Sequence, residues 1–151
     1  MVRLPTRFSS SGGGQLPGFE SGPYKLRQYL FETAVHYQGY GWQQELHLKR
    51  IQPLTGGKET SLLGGYAQLG IFADQLWDGA PSALEFAARY AYVDPDVDRD
   101  NDELSEITIG GNWFFNGHRN KLTADYSWLE GDSPDGRVRG SRFRLQWELS
   151  L

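Results

Sequence analysis

The sequence predicts an all-β protein, an antiparallel up-and-down transmembrane β-barrel of about seven strands. From Tyr24 onward, polar and apolar residues alternate in segments of roughly ten residues, separated by turn-forming clusters. No apolar run approaches the ~20 residues that a membrane helix needs. Aromatic residues make up 14% of the chain, which also holds 19 glycines. Amphipathic aromatics collect at membrane interfaces and turns use glycine, so both figures favour a membrane barrel.

The predicted strands alternate in polarity with period two, because successive Cβ atoms of a strand point to opposite faces. We place them at residues 26–38, 42–52, 62–73, 83–93, 106–115, 120–129 and 140–151. The apolar face should meet lipid and the polar face an aqueous lumen. Ala67, Leu69 and Ile71 are assigned to the apolar face. The alternation of this strand is less clear, because the aromatic residues Tyr66 and Phe72 fall on the opposite face. Residues 1–23, rich in Ser, Gly and Pro, are predicted to be irregular, and residues 24–151 to form the barrel strands.

The predicted connections alternate in length. Residues 39–41 and 116–119 form tight turns, whereas residues 53–61, 94–105 and 131–139 form longer polar stretches. Outer-membrane barrels have short periplasmic turns and long extracellular loops, so we expect the tight turns to be periplasmic. The connection 74–82 is an exception, since it should be short and has nine residues.

Composition excludes several classes of function. The chain has no cysteine, so it has no disulfide, thiolate nucleophile or cysteine-based zinc site. Its net charge of −4 gives no reason to expect nucleic acid as a partner. The low mean hydropathy of −0.57 is compatible with a barrel wall, where only alternate residues meet lipid. Residues 1–14 lack the apolar stretch of a secretory signal, so either the chain is the downstream part of a longer exported protein, as we expect, or the membrane interpretation is wrong.

The predicted lumen face carries charges of both signs. Rings of Arg and Lys would attract anions, whereas opposite charges on adjacent strands would pair across the wall. The acidic residues Glu32, Glu45 and Glu106 belong to this face. The numbers of acidic and basic residues are nearly equal, which favours pairing over an anion ladder, that is, a row of basic residues that attracts anions. The residues that we predict to line the pore are Lys49, Arg89, Lys121, Arg142, Arg144, Glu85, Asp125 and Glu148.

Two motifs resemble metal sites. The alternate aspartates of residues 94–103 suggest a calcium loop, but Arg99 stands where an EF-hand needs glycine and Ser105 where it needs glutamate. We expect a solvated loop instead. His36 and His47 could face the lumen on neighbouring strands, yet a metal would need a further ligand such as Glu45, so we expect ordinary polar lining. His118 is assigned to a turn.

No catalytic or cofactor chemistry is predicted. No serine or aspartate forms a recognisable nucleophile motif with these histidines. The sequence therefore predicts no enzyme, no bound metal and no cofactor.

Several segments resemble the phosphate-selective porin O and P family. They include LEFAARYAYVDPD at residues 84–96, the alternating end FRLQWELSL and WFFNGHRNKLTADYSW at residues 113–128, where the NGH-x-NKLT-x-D-Y spacing is distinctive. The resemblance covers about residues 30–151. It implies the C-terminal portion of a bacterial outer-membrane porin, a barrel of about sixteen strands. It also implies a homo-trimer in the full-length form, with a lumen that passes small anions such as phosphate or other small solutes. Family members generally end in Phe, whereas this chain ends in Leu151.

The leading interpretation is thus a porin portion that contributes to a passive diffusion channel across the outer-membrane lipid bilayer. Single-chain bacterial barrels have an even number of strands, so seven strands cannot close a wide pore alone. An alternative is a soluble lipocalin-like β-barrel that binds a small apolar ligand on an inward apolar face. A third is a structural role, as a small membrane barrel or one completed by self-association.

Overall fold

The computed structural model describes residues 2–4, 22–54, 56–116, 119–132 and 136–150. They form one antiparallel sheet in which each strand pairs only with its neighbours in sequence. The eight strands are β1 (Val2–Leu4), β2 (Gly22–Tyr37), β3 (Tyr40–Pro53), β4 (Thr60–Phe72), β5 (Leu84–Asp94), β6 (Leu104–Phe114), β7 (Asn120–Gly131) and β8 (Val138–Leu149). A single 3-10 turn, Ala73–Gln75, follows β4 in the described part of the chain.

No helix within the described residues has both the length and the apolar character to cross a membrane.

The seven long strands, β2 to β8, confirm the predicted all-β, up-and-down architecture. Their ends lie within four residues of the predicted ones. The difference lies at the beginning of the chain, where we predicted an irregular segment over residues 1–23. Residues 2–4 instead form β1, which pairs with residues 22–24 at the start of β2. The other residues of that segment lie outside the described part of the chain.

The register gives the sheet one polar and one apolar face. Directly opposed residues share a face, and Asp125 opposes both Gly110 on β6 and Arg144 on β8. Since side chains alternate along each strand, this register propagates the two faces across all seven long strands. It places Ala67 and Leu69 on the apolar face, as predicted, with Tyr66 on the polar one.

The first hairpin is closed by a two-residue turn, Gln38–Gly39. Both residues have positive φ, 45° and 78°. Such a turn matches the right-handed twist of the flanking strands. We predicted the turn at residues 39–41, but Tyr40 already pairs with Tyr37 in the ladder. The two residues with positive φ are Gln38 and Gly39, so the turn begins one residue before the predicted position and β3 begins at Tyr40.

The apolar face is exposed, unlike that of a sheet in a water-soluble protein. On the apolar face, Phe143 is 67% exposed and Trp147 is 71% exposed. On the polar face, Asp125 is 6% exposed and Ser127 is fully buried. An antiparallel sheet in water packs its apolar face on a core. Within the described residues no second layer covers this apolar face.

The sheet is open at both edges. Within the described ranges, β8 pairs with β7 alone and β1 pairs with β2 alone. An open edge carries backbone N–H and C=O groups that need partners wherever water is excluded. The architecture is therefore that of a partial barrel.

The close approach of β6 to β7 can be tested at Gly110. A Cβ there would lie 2.7 Å from the carbonyl oxygen of Ala124 and 2.8 Å from Cβ of Asp125. Because backbone would have to move, we expect Gly110→Ala to lower the free energy of unfolding by about 1–3 kcal/mol. Urea unfolding in detergent micelles, followed by tryptophan fluorescence, measures this loss.

The neighbouring glycine provides the matched control. A Cβ at Gly111 would meet its nearest atom, the carbonyl oxygen of Glu85, at 3.5 Å, which is ordinary contact. Gly111→Ala should therefore be tolerated. Equal losses in the two variants would contradict the close approach at Gly110.

Candidate functional site

The polar face of the sheet is the candidate site. The register places on it every residue that we predicted to line a pore, together with Glu32, Glu45 and Glu106. Residues an even number of positions apart on one strand point to the same face, and the register aligns these faces between strands. The predicted residues placed there are Lys49, Arg89, Lys121, Arg142, Arg144, Glu85, Asp125 and Glu148.

A cavity of about 420 Å³ lies on the polar face, between side chains of β4 to β8. Its lining includes the predicted residues Arg89, Lys121, Asp125, Arg142 and Arg144. It also includes neutral polar residues of β4, β6, β7 and β8, such as Gln68, Asn112 and Gln146, which our sequence analysis did not single out. Lys49, Glu85 and Glu148 share the face but do not line this cavity.

Three of the basic residues form ion pairs with carboxylates. Nε of Arg144 lies 2.8 Å from Oδ2 of Asp125, its direct cross-strand neighbour. Nζ of Lys121 lies 3.2 Å from Oε2 of Glu148, also directly opposed. The charges on β7 and β8 are therefore largely compensated within the wall.

The third pair extends over two strand spacings. Nη2 of Arg142 on β8 donates to Oε1 of Glu106 on β6, at 2.8 Å. The hydroxyls of Thr108 and Ser127 bond to the same carboxylate oxygen, at 2.8 and 3.1 Å. Ser127 lies between the two charged residues and is fully buried beneath them. Small hydroxyl residues thus leave room for a long guanidinium to reach across β7.

Asp125 is the most buried charged residue among those described. Arg144 bonds to its Oδ2, whereas its Oδ1 is buried and has no hydrogen-bond partner within the described residues. The absent side chain of Gly110 makes room for it on β6. Arg144 is about half exposed, whereas water scarcely reaches the carboxylate of Asp125. The guanidinium of Arg144 therefore compensates this buried charge from the surface of the sheet.

A second polar network lies on β3 and β4. The hydroxyl of Tyr66 donates to Oε1 of Glu45 at 2.6 Å, and Nε2 of His47 lies 3.1 Å from Oε2 of the same carboxylate. Nε2 of Gln43 donates to the Tyr66 hydroxyl at 2.8 Å. The guanidinium of Arg89 lies 4.3 Å from the centre of the Tyr66 ring, a cation–π contact. In the sequence Tyr66 seemed to break the alternation, and only the register with Glu45 explains its place.

Glu85 is held by neutral donors. Nδ2 of Asn112 donates to Glu85 at 2.8 Å, and the hydroxyl of Thr123 donates to Oδ1 of Asn112 at 2.6 Å. Within the described residues, neither Glu85, Arg89 nor Lys49 has an ion-pair partner. The charges without an opposite partner therefore carry both signs.

The histidines are too far apart to share a metal ion. His36 opposes Gly41 and His47 opposes Leu30, a separation of six positions along the hairpin. At the rise of a strand this is about 20 Å. His118 lies outside the described residues. No cluster of three metal-ligating side chains occurs in the part of the chain that the structure describes.

In the acidic loop between β5 and β6 the carboxylates of Asp94, Asp96 and Asp98 bond to nearby protein groups. Oδ1 of Asp94 accepts the backbone N–H of Asp96, and Oδ1 of Asp96 accepts that of Asp98. Asp98 also forms an exposed ion pair with Lys58, at 3.1 Å. Burial, with the nearby carboxylates of Asp94 and Glu103, raises the pKa of Asp102. These contacts fold the loop on itself, as backbone turns capped by aspartate do.

Comparison with known proteins gives one family. The family model described as phosphate-selective porin O and P matches residues 14–147. The match includes β2 to β7 completely and most of β8, and with them the motif at residues 113–128. No curated protein and no solved structure matches the chain.

The dependence of Asp125 on its ion pair can be tested on β8. Arg144→Gln leaves the buried carboxylate of Asp125 without its ion-pair partner, and we expect a loss of about 1–3 kcal/mol in the free energy of unfolding. The control is Arg139→Gln on the same strand, whose pair with Glu130 is exposed and should contribute about 0–1 kcal/mol. Urea unfolding in micelles measures both. A loss at Arg144 no larger than that at Arg139 would show that Asp125 does not need this pair.

Proposed function

The chain belongs to the phosphate-selective porin O and P family, and from this premise we propose that it forms part of the wall of an outer-membrane porin. The polar face lines a water-filled lumen through which small solutes diffuse passively. The apolar face lies in the lipid bilayer of the bacterial outer membrane. The exposure of the apolar face is the observation that carries this proposal, since that face suits lipid outside and the polar face suits water inside.

The dimensions of the strands support a membrane location. The seven long strands have 11 to 16 residues, whereas a tilted strand needs about 9–11 to cross the hydrocarbon core. The apolar face carries exposed aromatic and aliphatic side chains from β2 to β8. A soluble monomer rarely exposes a contiguous apolar patch beyond a few hundred Å². In lipid the same face needs no further protein layer.

The charge pairs suggest which solutes pass. Strong ion selectivity arises from rings of one sign, which act on a permeating ion without nearby compensation. Here Lys121, Arg142 and Arg144 are each paired with a carboxylate. We propose a wall with weak selectivity that admits small polar solutes, including anions such as phosphate. Arg89 and Lys49 are the basic residues most able to act on a passing anion.

The open edges imply that further strands complete the pore. We propose that the edges at β8 and β1 pair with other strands of a closed barrel, of about sixteen strands in this family. The full-length form would then assemble as a homo-trimer, as the family implies. Closure satisfies the unpaired backbone groups of both edges, which lipid cannot do.

Membrane insertion is tested by placing a charge on either face of β8. Phe143 lies near the middle of the strand on the apolar face, so Phe143→Arg should weaken folding into phosphatidylcholine vesicles by about 2–4 kcal/mol. Gln146→Arg, on the polar face of the same strand, is the matched control and should have little effect. Urea titration in vesicles measures both.

The opposite result of this charge-placement test would favour the lipocalin-like carrier. That carrier would be a folded monomer in buffer without detergent. Finding the chain in that state, with Phe143→Arg tolerated, would overturn the membrane location.

Ion selectivity is tested by the reversal potential of the complete pore in a planar bilayer with a salt gradient. We expect a reversal potential near zero. Arg89→Gln should shift it slightly towards cation preference, because a basic residue without an ion-pair partner is removed from the polar face. Arg139→Gln, on the apolar face, should leave it unchanged. A strong anion preference that disappears with Arg89 would instead establish an anion ladder.

A further inference from the structure

The connection between β4 and β5, residues 73–83, is longer than a periplasmic turn of a barrel usually is. It is nevertheless folded. Ala73 is fully buried, and its carbonyl oxygen accepts the N–H of Leu76 at 3.0 Å. The carbonyl oxygen of Trp77 accepts the N–H of Ala80, and that of Pro81 accepts the N–H of Leu84. The extra residues therefore form a defined structure.

This structure brings the side chain of Trp77 against the apolar face, with Leu76 next to it in the sequence. The ring of Trp77 lies 6.2 Å from the ring of Phe86, which is on the apolar face of β5. Trp77 is 51% exposed and Leu76 is 49% exposed. The side chain of Gln75 lies instead above Gly39, where a Cβ would meet its Cγ at 2.6 Å. The connection thus contacts the neighbouring turn on one side and the apolar face on the other.

The aromatic residues at this end of the sheet show why Trp77 matters. On the apolar face, Tyr37 is the last residue of β2, and Tyr40 and Trp42 lie at the start of β3. Trp113 lies near the end of β6 and Trp147 near the end of β8. The corresponding ends of β4 and β5 carry Ile71, Leu84 and Phe86, which lack a polar group. Trp and Tyr prefer the headgroup level because their rings are amphipathic. At this end β4 and β5 contribute no Trp or Tyr of their own, and the neighbouring Trp113 and Tyr40 come from β6 and β3. Trp77 of the connection adds an indole beside Phe86.

We propose that Leu76 and Trp77 form an interfacial anchor, which holds the β4–β5 connection in the headgroup region of the bilayer. The inference rests on the proposed function, because lipid adjoins Phe86 only if the apolar face is embedded. The connection carries two acidic residues, Asp74 and Asp78, and no basic one. Its partner is therefore zwitterionic phospholipid, since acidic residues gain nothing from an anionic surface.

The absence of cysteine from the chain allows a test with single spin labels. We would label Trp77→Cys in phosphatidylcholine vesicles and compare collisions with oxygen, which dissolves in lipid, and with an aqueous nickel chelate. Phe143→Cys serves as the lipid-facing reference and Val97→Cys, in the acidic loop, as the aqueous reference. The oxygen-to-nickel ratio at position 77 should be several-fold above that at 97 and below that at 143. Leu76→Cys provides a second reporter and should give the same ranking.

The outcomes separate the anchor from the porin wall. A ratio at positions 76 and 77 equal to that at 97, with 143 in lipid, would overturn the anchor and leave the membrane wall intact. An aqueous label at 143 would overturn the membrane proposal and the anchor with it. Protection of position 77 from both reagents would show that protein covers it, which also overturns contact with lipid.

Discussion

The apolar face of the sheet has no protein layer against it in the described part of the chain, and the other features follow from this constraint. Removing apolar surface from water is worth about 25 cal/mol per Å², so a face of this kind requires a non-aqueous environment. A bilayer provides it only if the backbone is paired strand to strand. The structure meets that condition with an unbroken ladder from β1 to β8.

The same constraint makes the register exacting. A slip of one residue between two strands would turn the arginines and glutamates of one strand towards lipid, where charges are costly. The turn at Gln38–Gly39 helps to fix the first register through its two positive φ angles. In the observed register Asp125 opposes Arg144. The ion pair between them therefore keeps β7 and β8 aligned and also compensates a buried charge. Structural and electrostatic requirements thus coincide on the polar face.

Compensation has a consequence for transport. A wall whose charges pair within it presents a weaker field to a passing ion than a ring of one sign does. Arg89 differs from the other arginines that line the cavity, since it lies over the ring of Tyr66 and has no ion pair within the described residues. The carboxylates of Glu45 and Glu106 act on it only at longer range. Under the proposed function, selectivity would therefore depend more on residues without an ion pair, such as Arg89, than on the total charge of the wall.

Period two is a local property of an extended chain, so the all-β class, the seven long strands and the face on which each predicted pore-lining residue lies follow from the sequence alone. The sequence did not determine that Arg142 reaches Glu106 across β7, that Tyr66 joins Glu45, or that His36 and His47 lie far apart. These facts depend on register and on the size of intervening side chains such as Ser127. Only the tertiary structure decides them, because contacts between strands distant in sequence leave no period in the chain.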